Sequence, residues 1–145
     1  GTGVDPKRLA MIVAVLARHA GVPLGTADVF VNVAGGVRID EPGADLGIAF
    51  AIASAARGAP LVDGVASFGE LGLTGRLRPG AQAERRLEEC AKLGVEVAVV
   101  PHGTRERKGG PRVVGAETVR QALAAGLAAT TGNGETELRE PARAA

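Results

Sequence analysis

Residues 41–58, EPGADLGIAFAIASAARG, place a Pro-Gly turn directly before a run of small and apolar residues that ends at glycine. The turn chemistry of Pro42-Gly43 and the nearly all-round apolar character of the residues beyond it predict a buried helix over 44–57. Asp45 then stands at the helix entrance, where an enzyme of this shape carries a nucleophile. A carboxylate there has a plainer use. In the first turn it accepts from free backbone N–H groups and meets the positive end of the helix dipole, contributing about 0.5–2 kcal/mol.

Outward from this helix, the chain alternates helical and extended patterns. Asp5-Pro6 precedes a stretch, 7–20, with Leu9, Ile12, Val13 and Leu16 at helical spacing and Gly21 beyond it, a capped helix. DVFVNVA (28–34) reads as a strand, with Gly35-Gly36 turning it toward 37–39 as a hairpin. VASFGEL (65–71) and LTGRLRP (73–79) read as strands interrupted by glycine, 81–93 as a helix closed by Gly94, and VEVAVVP (95–101) as a strand stopped by proline. HGTRERKGGPR reads as a basic loop, and 116–129 as a last helix. The expected architecture is α/β (α+β), helices packed on a mixed sheet, with one domain over 1–129 and a disordered tail over 130–145.

Composition narrows the function classes. Of 145 residues, 46% are hydrophobic and 23% charged, the balance of one domain that buries a core. The formal net charge is +1, so any nucleic-acid affinity must come from clustered rather than total charge. One cysteine, Cys90, excludes an internal disulfide framework and paired-cysteine zinc sites. The apolar run 46–56 is too short for a membrane span. Cytoplasmic location is expected, and the opening Gly-Thr-Gly suggests a cut made inside a longer chain.

Two blocks, DVFVNVAGGVRIDEPGADLGIAFAIASAARG and FGELGLTGRLRPGAQAERRLEECAKLGVEVAVVP, carry a family resemblance. In their order and motifs they resemble the C-terminal Lon-protease-like domain of the RadA (Sms) family of bacterial RecA-like recombination ATPases, over residues 5–128. The resemblance implies a domain of the ribosomal protein S5 domain 2-like type. It also implies a non-proteolytic, DNA-binding and ring-forming role beside a motor that branch-migrates recombination intermediates. True Lon peptidases carry a serine in the turn occupied here by Gly43-Ala44-Asp45-Leu46-Gly47, and an activating lysine near the position of Glu84, to within one or two residues. Asp45 and Glu84 stand where that dyad would be, so no catalytic residue is expected.

The residue chemistry points the same way. A serine–lysine peptidase needs a hydroxyl and a neutral amine within hydrogen-bond reach, which aspartate and glutamate do not supply. Two carboxylates would suit aspartic-protease or glycosidase chemistry, yet Asp-Thr-Gly signatures, Trp and Tyr are all missing from the sequence. Ser54 and Ser67 have no histidine or lysine close in sequence and are read as packing residues. His19 and His102 are read as structural or solvated, with no metal expected. No P-loop signature occurs in this sequence, and the family resemblance implies that ATP, Mg and a zinc finger belong to a preceding part of the protein.

Basic residues supply the remaining signal. Arg76 and Arg78 lie two apart on a strand and share a face, as a phosphate track would use. Arg85, Arg86 and Lys92 come next, interleaved with Glu84, Glu88 and Glu89 at helical spacing, and Arg105, Arg107, Lys108 and Arg112 surround Glu106. Lys7 and Arg8 fall in the opening turn of a helix, where the dipole disfavours cations and calls for a compensating partner: a DNA phosphate, or else water or a neighbouring subunit. The expected DNA-binding set is Lys7, Arg8, Arg76, Arg78, Arg85 and Arg86. Expected partners are DNA, further copies of the chain in a homohexamer and a RecA-type recombinase, with no membrane. The alternatives are a purely structural hexamerisation scaffold without DNA contact, and an active Lon-type peptidase.

Overall fold

The computed structural model describes residues 5–22 and 42–128. The strand and hairpin expected at 28–39 and the tail expected from 130 lie outside the described residues.

Helix α1, Pro6–His19, begins where the sequence predicts: Asp5 is its N-cap, accepting from the Lys7 N–H at 3.2 Å, and Pro6 holds the first helical position. A short 3-10 turn, Pro42–Ala44, leads into helix α2, Asp45–Arg57, which ends at Gly58 in the left-handed conformation. Leu46, Ile48, Ala49, Phe50, Ile52 and Ala53 are all buried, making α2 the central helix of the core. The Ser54 hydroxyl donates to the Ala59 carbonyl and so helps close this helix.

Beyond α2 the extended segments divide differently from the expectation. The stretch 65–71 is two strands: β1, Val65–Ser67, pairs in parallel with β4, Val97–Pro101, whereas β2, Glu70–Leu71, pairs antiparallel with β3, Leu77–Arg78. The break falls at Gly69. Its φ is 153°, and a Cβ added to it would come 2.9 Å from the Pro101 ring. Glycine alone fits there, so the chain can leave the sheet at this point. A further strand that periodicity missed, β5, Arg112–Ala116, pairs in parallel with β4. The three-stranded sheet runs β1-β4-β5.

Helix α3, Ala83–Lys92, starts two residues later than expected because Gln82 takes φ 68°, outside the helical region. Helix α4, Val119–Gly126, starts at Thr118, whose hydroxyl accepts from the Gln121 N–H at 3.2 Å while the Gln121 side chain accepts from the Glu117 N–H at 2.8 Å. Together these two hydrogen bonds fix the helix start beyond Thr118 rather than at Ala116.

The sheet separates two apolar layers. On one face α1, α2 and α4 pack with Val99, Val114 and Ala116. On the other, Leu87 of α3 meets Phe68, Ala98 and Val100. Alternation along β4 assigns Ala98 and Val100 to one side and Val97 and Val99 to the other. Among the described residues no helix is long and apolar enough to cross a membrane.

Candidate functional site

Among the described residues Asp45 is the buried charged side chain, 0% exposed. The sequence predicts that it caps its own helix, and the structure corrects that reading. The N-cap of α2 is Ala44, with no side-chain cap hydrogen bond, and one of the first helical N–H groups finds backbone instead: Leu46 N–H donates to the Gly69 carbonyl at 3.1 Å. Gly69 N–H in turn donates to the Gly43 carbonyl at 2.8 Å. The Asp45 carboxylate turns away from its own helix, toward α1 and β2.

It receives two hydrogen bonds from Arg8, Nε to Oδ1 and Nη2 to Oδ2 (3.2 Å for the second), and one from the Leu71 backbone N–H to Oδ2 at 3.0 Å. A forked guanidinium matched to a carboxylate is among the strongest neutralising pairs that side chains form. The Arg8 pKa is raised from its ordinary value, chiefly by the hydrogen bond to Asp45, against the opposing effect of burial. Arg8 therefore finds its compensating partner inside the chain. The phosphate, water or neighbouring subunit expected for it from the helix-dipole argument is replaced by Asp45, 37 residues away in sequence. Sequence separation hid this pair, because only the fold brings the α1 entrance to the α2 entrance.

The helix expected to bring Glu84 to this turn brings Arg86 instead. Glu84 is exposed on α3. A Cβ placed on Gly43 would come 2.8 Å from Arg86 Nη2, so the Arg86 guanidinium lies against the backbone just before Asp45. Arg8 and Arg86 thus both reach the turn at the α2 entrance, whose own residues, 43–47, carry neither hydroxyl nor amine.

The other cations expected to bind DNA are exposed. Arg76 is 3.5 Å from Glu117, Arg78 is 3.8 Å from Glu70, and Arg85 is 3.6 Å from Glu89 one helical turn on. Lys7 is exposed at the start of α1. Arg76 and Arg78 do belong to one hairpin arm, but β3 spans Leu77–Arg78 only, and Arg76 makes an isolated bridge to Thr118. His19 packs against Gly75 and His102 against Gly115, both beside backbone. Among the described residues no cluster of three or more His, Cys, Asp and Glu side chains is gathered in a metal-binding arrangement.

Similarity to known proteins supplies the family. Residues 7–104 match the family described as subunit ChlI of Mg-chelatase. The DNA repair protein RadA of Pseudomonas aeruginosa is 42% identical over 123 residues, 83% of this chain and 27% of that protein. That of Escherichia coli is 40% identical over 123 residues, again 83% and 27%, and that of Brucella abortus 48% over 104 residues, 72% and 22%. The chain spans about a quarter of the length of these relatives. It belongs to the family described as subunit ChlI of Mg-chelatase, and its relatives are DNA repair proteins RadA from diverse bacteria.

Proposed function

We propose that this chain is a non-proteolytic, Lon-protease-like domain that binds DNA and builds a ring in a RadA-like ATPase, acting in recombination and repair by branch migration. The observation that carries the reading is the commitment of Asp45. Where the resemblance would put a Lon-type serine, the chain has a buried carboxylate already held by Arg8 and by the Leu71 N–H, which supports reading the turn as a structural joint between α1, α2 and β2. The similarity to DNA repair proteins supplies the nucleic-acid context. Outward-facing cations would contact phosphates without reading bases, the sequence-independent mode of backbone recognition. Lys7, Arg76, Arg78 and Arg85 are the candidates from the expected set; Arg8 and Arg86, which reach the turn, would support the surface. ATP, Mg and zinc would be held elsewhere in the full-length protein, in the cytoplasm, with a RecA-type recombinase as a further partner.

A second reading, a hexamerisation scaffold without DNA contact, draws on the glutamates beside Arg76, Arg78 and Arg85, which leave those cations locally neutralised. A gel-shift titration against salt, run beside sedimentation of the same chain, separates the two. Binding that weakens linearly on a log–log salt scale supports the DNA-binding reading, and ring formation with no shifted DNA at low salt supports the scaffold. Casein should stay intact in the same preparation; cleavage that is lost on Asp45→Asn would return the turn to catalysis.

A further inference from the structure

The parallel strands β4 and β5 are joined by residues 102–111 without a helix, although such crossovers usually carry one. The β4–β5 register sets Pro101 opposite Ala116 and Val97 opposite Arg112, so this connection must return along the full length of β4. It does so as an ordered loop. Thr104 donates to the Pro101 carbonyl through its backbone N–H at 3.2 Å and through its hydroxyl at 2.7 Å. Gly110 N–H donates to the Arg107 carbonyl at 2.9 Å, closing a turn in which Gly109 has φ 82°, the left-handed third position of a type II turn, with Lys108 at its tip. Pro111 is buried beneath.

Charge on this loop is sorted by the same contacts. Its acid, Glu106, is bent back to accept from the Val113 N–H at 3.0 Å. Arg107 lies 3.7 Å from Glu88 and ties the loop to α3. Arg105 and Lys108 remain exposed, and among the described residues no carboxylate lies within ion-pair distance of either. The hairpin side is the reverse case, with Arg76 and Arg78 each beside a glutamate.

We propose that the β4–β5 loop is the main nucleic-acid backbone contact of this domain, with Arg105 and Lys108 as its phosphate-binding cations. The inference rests on the DNA-binding reading and moves its centre away from the hairpin. A loop held by its own hydrogen bonds presents two uncompensated cations with little ordering left to do on binding, whereas the hairpin arginines must first leave carboxylates. Phosphate contacts carry no base information, so binding should be indifferent to sequence.

The test compares two double variants that remove the same charge: Arg105→Ala with Lys108→Ala, and Arg76→Ala with Arg78→Ala. Each is titrated by fluorescence anisotropy on one duplex oligonucleotide of mixed sequence over a series of salt concentrations. The loop pair should lower the salt slope by about 1.8 units and weaken binding roughly tenfold or more at low salt, since each phosphate contact contributes about 0.9 to the slope. The hairpin pair should change the slope by less than about one unit. Restoring charge with Arg105→Lys and Lys108→Arg should recover most of the affinity. If the parent binds and the loop pair leaves it unchanged, or if both pairs weaken binding equally, the loop assignment is overturned while the DNA-binding reading stands. A parent chain that binds no duplex at low salt removes both.

Discussion

The entrance of α2 and the β4–β5 loop are both built around charge, and they treat it in opposite ways. At the helix entrance the Asp45 carboxylate is fully buried and takes three hydrogen bonds from Arg8 and Leu71. In the loop, hydrogen bonds hold the backbone and the one acid, while Arg105 and Lys108 are left to solvent. A buried charge must be matched within the chain, because leaving its partner unpaired costs far more than the pair contributes. An exposed charge carries no such constraint and is free to meet a ligand. Residue type alone does not separate the two: Arg8 and Arg105 look alike in sequence and play different parts.

The largest disturbance of this contrast is expected from Arg8→Met. It should destabilise the fold by about 3 kcal/mol, the lower end for an orphaned buried charge because Arg8 is partly reached by water. For a domain of this size that lowers Tm by roughly 10 °C, readable by circular dichroism. An unchanged Tm would mean that the joint is ornamental. Replacing Asp45 with Leu in the same variant should recover part of the loss, since the uncompensated carboxylate goes with it.

A smaller and opposite change is expected at Gln82, exposed just before α3 with φ 68°. Gln82→Gly should stabilise by about 0.5–1 kcal/mol, as glycine adopts the left-handed conformation without a Cβ clash. A urea midpoint that falls would show that the Gln82 side chain makes a contribution larger than its strain. The loop pair Arg105→Ala with Lys108→Ala should move stability by less than about 0.5 kcal/mol, because both are surface side chains away from any buried network; a larger loss would place them with Arg8 rather than apart from it.

The least effect is expected at Cys90. Burial, and then the negative charge of Glu89, push its thiol up from the ordinary value. The folded chain then holds the thiol proton at pH values where the unfolded chain has begun to release it. The linked stability is therefore full below the unfolded thiol's pKa of about 8.5 and declines as pH rises past it. Alkylation by iodoacetamide at a pH near that value should be slow in buffer and fast in urea; equal rates would show the thiol to be open.

Much of the fold was legible where a local rule governs. Asp5-Pro6 marked the start of α1, Pro42-Gly43 the approach to α2, and β-branched residues the strand at β4. What escaped was decided by contacts distant in sequence. The Gly69 break moves β2 into a hairpin, and β5 is a strand because it pairs with β4, which its RVVGA sequence after a Gly-Pro pair does not announce. At the site, a carboxylate at the α2 entrance could be read from residue type, whereas its partner could not, since Arg8 lies on another helix. The basic loop was visible as composition; the pairing of the hairpin arginines, which sets the loop apart, was not.

The salt dependence of duplex binding, measured on the unaltered chain, tests the proposed phosphate contacts without any substitution. Log affinity should decline in a straight line with log salt, with the same slope for duplexes of unrelated sequence. Absence of binding at low salt, or binding indifferent to salt, would leave the exposed cations without a role at the nucleic-acid backbone.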